Sequence, residues 1–156
     1  MTRVDYFDDP DAPSPNSVVP AAVGFVSDAE GRLLLQHRVD NGLWALPGGT
    51  HELGESIVQT VVREIAEETG LRVEVDSLVG IYTDPRHLVA YSDGEVRQQF
   101  TLSFRTRVLG GTLEPDDESH ELRWVSRDQL DDLDMHPSMR LRIDHFFEDG
   151  PSPYLG

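Results

Sequence analysis

Gly49-Thr50-His51-Glu52-Leu53-Gly54-Glu55-Ser56-Ile57-Val58-Gln59-Thr60-Val61-Val62-Arg63-Glu64-Ile65-Ala66-Glu67-Glu68-Thr69-Gly70-Leu71 is the stretch whose reading decides the rest of the chain. A glycine-rich loop runs into an amphipathic segment. Ser56 and Gln59 have the spacing of a capping box, and Gly70 suits the left-handed position just past a helix end. Ile57, Val58, Val61, Val62 and Ile65 recur at helical spacing. At about 100° per residue, Glu64, Glu67 and Glu68 fall within roughly 100° of arc, to one side of that apolar stripe. The helix can therefore bury one face and hold its carboxylates at the mouth of a cleft. Like charges at i, i+3 and i+4 repel one another. The group calls for a compensating cation, and a divalent metal beside a loop suggests chemistry on phosphates. The bland alternative is a solvated helix with surface ion pairs such as Arg63 to Glu67.

The chain has 156 residues, enough for one domain with a real core. Its formal net charge of −16 predicts repulsion from nucleic acid polymers and anionic membranes. A small anionic substrate is compatible with that charge if metal ions neutralise the site locally. The acidic runs from Glu114 to Glu118 and from Asp128 to Asp134 read mainly as solvated faces. No segment reads as a signal peptide or a membrane span. The absence of cysteine excludes thiolate chemistry and agrees with a cytoplasmic protein. Residues 1–16, acidic and proline-containing, read as a poorly ordered arm. Residues 17–150 read as the folded domain and 151–156 as a C-terminal tail. A homodimer is left open.

Upstream of the loop, Val18 to Ser27 reads as a buried strand whose start Pro20 places near an edge. Leu33 to Arg38 returns as a second strand across the Asp28-Ala29-Glu30-Gly31 turn. Leu43 to Leu46 is a short extended piece, and Pro47-Gly48-Gly49 ends it in a tight loop. Downstream, Arg72 to Tyr82 reads as a strand. Leu88 to Tyr91 and the run from Val96 form a hairpin across Ser92-Asp93-Gly94-Glu95. Phe100, Leu102, Phe104, Thr106 and Val108 are assigned one face of a strand, and Thr101, Ser103, Arg105 and Arg107 the other. Leu122 to Val125 reads as a short strand, and Leu133 to Phe147 as a terminal helix starting near Pro137. Strands mixed with two helices predict an α/β layered domain with a mixed sheet.

The stretch from Gly49 to Leu71 resembles the Nudix box at Gly49, Glu55, Arg63, Glu64, Ile65, Glu67, Glu68, Gly70 and Leu71. The box covers 23 of the 156 residues. Leu46-Pro47-Gly48, the Leu33 to Arg38 strand and Arg123-Trp124-Val125 also look like the family's flanks. The resemblance implies an α/β/α sandwich with a loop-helix-loop catalytic motif. It implies hydrolysis of a nucleoside diphosphate linked to another moiety, with Mg²⁺ or Mn²⁺. It makes Glu64, Glu67 and Glu68 metal ligands, adds the Gly49 carbonyl, and gives Arg63 and Glu55 supporting roles. Hard Mg²⁺ prefers oxygen ligands, which agrees. Glycines at 48 and 49 let the backbone approach such a site.

Outside the box the family often supplies a further carboxylate just before the Arg-Trp strand. Glu118 is favoured for that role, as general base or additional ligand, with Glu121 as its rival. Arg38 is read as meeting either a phosphate or Asp40. Glu52 is placed in the loop as a substrate contact, and His51 as a solvated loop residue. Tyr82, Asp84, Arg86 and His87 form a polar cluster, from which Tyr82 and Arg86 are assigned to substrate. Pro85 lies near the distance at which a proline marks ADP-ribose pyrophosphatases, but turn formation explains it as well. Trp44 is read as core; His136 and His145 are not assigned to metal.

The expected activity is a pyrophosphohydrolase acting on a nucleotide sugar such as ADP-ribose, a nucleoside triphosphate or a dinucleotide. The competing class is a nucleotide sensor that does not cleave. An RNA cap-removing role is disfavoured by the charge and the missing basic patch.

Overall fold

Apolar alternation in the valine- and leucine-rich runs builds three sheets. The structure, a computed structural model, describes residues 2–156. Its strands are β1 (Arg3–Phe7), β2 (Ser17–Val18), β3 (Ala21–Phe25), β4 (Leu33–Arg38), β5 (Trp44–Ala45) and β6 (Gly48–Thr50), then β7 (Leu71–Tyr82), β8 (His87–Tyr91), β9 (Val96–Gln98), β10 (Thr101–Gly111), β11 (Ser119–Val125) and β12 (Tyr154–Leu155). Helix α1 (Ile57–Thr69) lies between β6 and β7, and α2 (Pro137–Glu148) precedes β12; a 3₁₀ turn spans Arg127–Asp132. The central sheet runs β12-β7-β10-β3-β6, with β10 parallel to β3 and antiparallel to β7. It is flanked by β1-β8-β9-β2 and by β11-β4-β5.

Successive residues of a strand face opposite sides, and that rule sorts the core into two layers. Ala22, Val26 and Leu34 join Val61 and Ile65 of α1. Val23, Phe25, Leu33 and Leu35 join Ile143 and Phe146 of α2. The sheets are thus covered by α1 on one side and α2 on the other. Helix α1 starts at the anticipated capping box: Ser56 Oγ accepts from the Gln59 N–H at 3.2 Å, and Gln59 Oε1 accepts from the Ser56 N–H at 2.7 Å. It ends at Gly70, with φ of 77°. Pro137 opens α2, where its missing N–H costs nothing.

Several local expectations are corrected. Pro20 divides the Val18 to Ser27 run, so that Ser17–Val18 pairs with β9 while Ala21–Phe25 enters the central sheet. Gly48–Thr50 is not a tight loop but a strand paired with β3. The arm read as poorly ordered carries β1, which pairs with β8 from Arg3↔Tyr91 to Phe7↔His87. The C-terminal tail carries β12, which adds to β7. Register shifts between Ser103 and Phe104, between Arg105 and Thr106 and between Val108 and Gly110 break the two-face alternation of β10, and Val108 is exposed. Each bulged residue reverses the side to which those after it point.

Strand β1 closes over two stacked imidazoles. The His87 and His136 rings lie 4.6 Å apart at 16°, and Phe7 meets both edge-on. Burial, aided by the neighbouring His136 and then by the charges of Arg142 and Arg3, pushes His87 down to about 4, against the opposing pull of Asp5. A histidine whose folded pKa is depressed binds fewer protons folded than unfolded. Its contribution is intact above the unfolded value near 6.5 and is lost as the pH falls toward 4. The protein should therefore lose about 2 kcal/mol of stability from this group between pH 7.5 and 5. Urea midpoints at the two pH values check this, and His87→Phe should show a smaller drop than the wild type.

Candidate active site

The glycine strand and the acidic helix meet residue by residue. Glu68 reaches the first glycine: its Oε2 accepts from the Gly48 N–H at 2.9 Å. Glu64 lies against the second, where a Cβ on Gly49 would stand 2.4 Å from its carboxyl carbon. Arg63 reaches the third residue, donating Nη2 to the Thr50 carbonyl at 3.2 Å. The i, i+4 spacing of a helix places these side chains in step along the strand.

Glu55 holds Arg63 in place. It accepts from Nε at 3.0 Å and from Nη2 at 2.8 Å, a bidentate geometry. It also accepts from the Thr60 hydroxyl and the Glu52 N–H. The guanidinium holds the Glu55 carboxyl down at about 2. Arg63 Nη1 donates to Glu64 at 2.8 Å and to Glu67 at 3.3 Å. One guanidinium thus serves three carboxylates.

Burial works against charge on Glu68 and Glu64. Burial pushes Glu68 up to about 8 although Gly48 donates to it. Glu64 is raised as well, by burial more than by its acidic neighbours, and Arg63 only partly opposes this. Glu67 is over half exposed and faces the same cleft. A carboxylate retained in so protonating a setting fits a site completed by a cation. The carboxylates match a hard divalent ion such as Mg²⁺ or Mn²⁺, whereas the Gly49 carbonyl expected beside them is turned to β3, where Gly49 pairs with Ala22.

The cleft encloses about 530 Å³ and brings together residues from distant segments. Gly49, Glu52, Arg63, Glu64, Glu67, Glu68, Arg38 and Glu118 all line it. Glu118 sits on the loop before β11, anchored where its carbonyl accepts from the Val39 N–H at 2.9 Å. Glu121 instead pairs with Arg123 at 2.8 Å and lies outside the cleft. Arg38 binds Asp40 at 2.7 Å and also lines the cleft. His51 is not simply solvated; its Nδ1 lies 2.6 Å from the Thr60 hydroxyl. Trp44 is buried, yet it also lines the cleft.

Two assigned residues lie elsewhere. The Tyr82 hydroxyl is engaged by His145 Nδ1 at 2.8 Å, and Tyr82 belongs to an adjoining cavity rather than to the carboxylate cleft. Arg86 is exposed, pairs with Asp84 at 2.9 Å and borders that second cavity. Sequence reasoning overlooked the other end of the cleft, formed by Arg3, Arg97, Arg142, His87 and His136. These come from β1, β8, β9 and α2 or its cap, and no local motif joins them. Among the described residues, Asp5, His87 and His136 form the one cluster of metal-ligand type whose donor atoms lie within 4.8 Å of one another. Arg3 already donates to Asp5 at 2.7 Å, and Ser138 donates its N–H to His136 Nδ1 at 3.1 Å. Arg3 and Arg142 would oppose a further cation there.

A NUDIX domain model matches residues 18–146. A MutT-like protein of Streptomyces ambofaciens is 40% identical over 121 residues, covering 77% of this chain and 71% of that protein. An ADP-ribose pyrophosphatase of Methanocaldococcus jannaschii is 36% identical over 116 residues, covering 72% of this chain and 64% of its own length. A NUDIX hydrolase from Nitrosomonas europaea shares the fold with a TM-score of 0.71 at 22% identity, covering 88% of this chain and 93% of that one. No helix among the described residues is long and apolar enough to cross a membrane. With the family model spanning most of the chain and the acidic helix seated against its glycine strand, this chain belongs to the Nudix hydrolase family.

Proposed function

We propose that the cleft hydrolyses the diphosphate linkage of a nucleoside diphosphate derivative with the help of a divalent cation. The observation that carries this reading is the carboxylate group of α1, seated on the glycine strand and left undercompensated by Arg63. Glu64, Glu67 and Glu68 would hold the cation. When bound, it supplies charge neutralisation on the phosphate oxygens and acidifies the attacking water.

The chain's own residues do the rest. Glu55 fixes Arg63, and Arg63 fixes Glu64 and the strand, so the donors are preorganised. Glu118 faces the same cleft and takes up the proton of the attacking water. One P–O bond forms to that water, the bridging P–O bond breaks, and two phosphorylated products leave. Arg38 borders the phosphates' path with its charge partly shared by Asp40. Glu52, well exposed at the rim, contacts the substrate from the loop. Nucleotide sugars such as ADP-ribose, nucleoside triphosphates and dinucleotides are the candidate substrates; an ADP-ribose pyrophosphatase and putative 8-oxo-dGTP diphosphatases among the relatives support the first two alike.

Incubation with Mg²⁺ and a panel of these compounds, with phosphorylated products quantified, tests the reading. Tight nucleotide binding without turnover of any member would sink it in favour of a sensor. Glu67→Gln and Glu68→Gln should each lower kcat by about a hundredfold or more, with an unchanged circular dichroism spectrum. Normal turnover in either would contradict its role. Mg²⁺ should raise the melting temperature by several degrees, since a ligand at a hundredfold excess over Kd stabilises by about 2.7 kcal/mol; chelation should reverse the rise.

The two glycines separate fold from site. A Cβ on Gly48 would stand 2.2 Å from the Ala22 carbonyl oxygen, in a sheet that cannot give way. Gly48→Ala should therefore cost about 2 kcal/mol or more in a denaturant titration. A Cβ on Gly49 meets only the Glu64 carboxylate, so Gly49→Ala should reduce kcat more than stability.

A further inference from the structure

The end of the cleft away from the acidic helix holds a buried cation that no carboxylate answers. Arg142 is 2% exposed. Its nearest partners are the Met139 sulfur, 3.6 Å from Nη1, and the face of the Tyr82 ring, whose centroid is 5.2 Å from the guanidinium carbon. Its Nε–H has no hydrogen-bond partner. Burial pushes it down to about 10, which leaves it charged at neutral pH. An arginine carries five N–H donors, and an aromatic face satisfies none of them in a hydrogen-bonding sense.

A second unpartnered donor borders the same space. Arg3 Nε is buried without a partner, although its Nη2 is held by Asp5. Arg97 also lines this end, with its charge matched by Glu95 at 2.9 Å. Gln99 and the neutral imidazoles of His87 and His136 complete the wall. In a chain of net charge −16, a buried guanidinium free of acids is a departure from the surrounding field. Buried charges in proteins are paired, and an unpaired one implies a partner supplied from outside.

We infer that Arg142, with Arg3 beside it, binds an oxyanion of the substrate separate from the scissile diphosphate. The inference rests on the diphosphate hydrolysis proposed above and narrows it to substrates that carry a further phosphate monoester or a carboxylate. The diphosphate lies with the carboxylates of α1, and the second anion lies at the guanidinium end. Arg142 is a binding residue and touches no reacting atom. Tyr82 positions it from below, which gives that tyrosine a part in the site without contact with the diphosphate.

Matched substrate pairs test this with Mg²⁺ present: NADPH against NADH and coenzyme A against its dephospho form for a phosphate, UDP-glucuronate against UDP-glucose for a carboxylate. The wild type should favour the anion-bearing member of at least one pair in kcat/KM by about tenfold or more, chiefly through KM. Arg142→Met should lose that preference, and Arg142→Lys should retain part of it. The pair that responds distinguishes phosphate from carboxylate. A calorimetric titration of the metal-free protein with inorganic phosphate reads the same site without any hydrolysis, so an inactive protein would defeat the proposed function and leave this measurement standing. Loss of either the pair preference or phosphate binding in Arg142→Met supports the inference. Equal behaviour of wild type and Arg142→Met in both overturns it. Should Arg142→Met not fold, Arg142→Lys is compared by the same criterion.

Discussion

Three consecutive residues of β6 are gripped by three side chains of α1, and the rest of the site depends on that contact. Glu68 takes the Gly48 N–H, Glu64 lies on Gly49, and Arg63 takes the Thr50 carbonyl. The grip requires no side chain at Gly49, where Glu64 comes closest, while the lack of one at Gly48 lets β6 pack against Ala22 and Val23 of β3. It also requires the helix to be fixed along its axis. Val61 and Ile65 do this by burying against Ala22, Val26 and Leu34, while Gly24 leaves room for Ile65. Apolar burial sets the position of α1, and polar contacts then set the aim of its carboxylates.

The cleft is polarised. Its acidic end is built from one helix and the loop before β11, and its basic end from β1, β9 and α2. Each end retains charge that its own neighbours do not cancel. At the acidic end one guanidinium is divided among three carboxylates. At the basic end, the acids that are present, Asp5 and Glu95, are engaged by Arg3 and Arg97, and Arg142 has none. Opposite charges left apart in one cavity favour a ligand that carries both a metal-bridged diphosphate and a separate anion. Long-range repulsion by the acidic surface is screened over about 8 Å at physiological ionic strength, so it does not prevent such a ligand from entering.

The acidic end was legible in the sequence because its residues are neighbours in the chain. Helical periodicity alone puts Glu64, Glu67 and Glu68 on one side, and the capping box and Gly70 mark where the helix stops. The basic end was not legible. Arg3 and Arg142 lie at opposite ends of the chain, and they line one cleft because β1 pairs with β8 while α2 packs across β7. The segment holding Arg3 read as disordered for its prolines and aspartates, although Arg3–Phe7 itself alternates well enough to form a strand. Tyr82 and Arg86 part company for a related reason. Proximity in sequence put them in one polar cluster, but Tyr82 turns inward toward His145 and Arg142 whereas Arg86 turns out to Asp84. β7 ends at Tyr82 and Arg86 lies in the turn before β8, where strand alternation no longer sets the direction of a side chain.

Both ends of the cleft work against the folded state when it is empty. Glu68 is buried where its charged form is disfavoured, and Arg142 is buried without an acid. Natural folds keep such groups where a ligand relieves them, and they offset the cost with packing elsewhere. Here the offset is visible in two continuous apolar layers, one beneath each helix. The layers share β3 and β4, so the strands that stabilise the protein also carry the cleft: β3 holds the glycine strand in register, and β4 ends at Arg38. Stability and binding are thus coupled through the same strands. Moving β3 would loosen the core and disperse the carboxylates together.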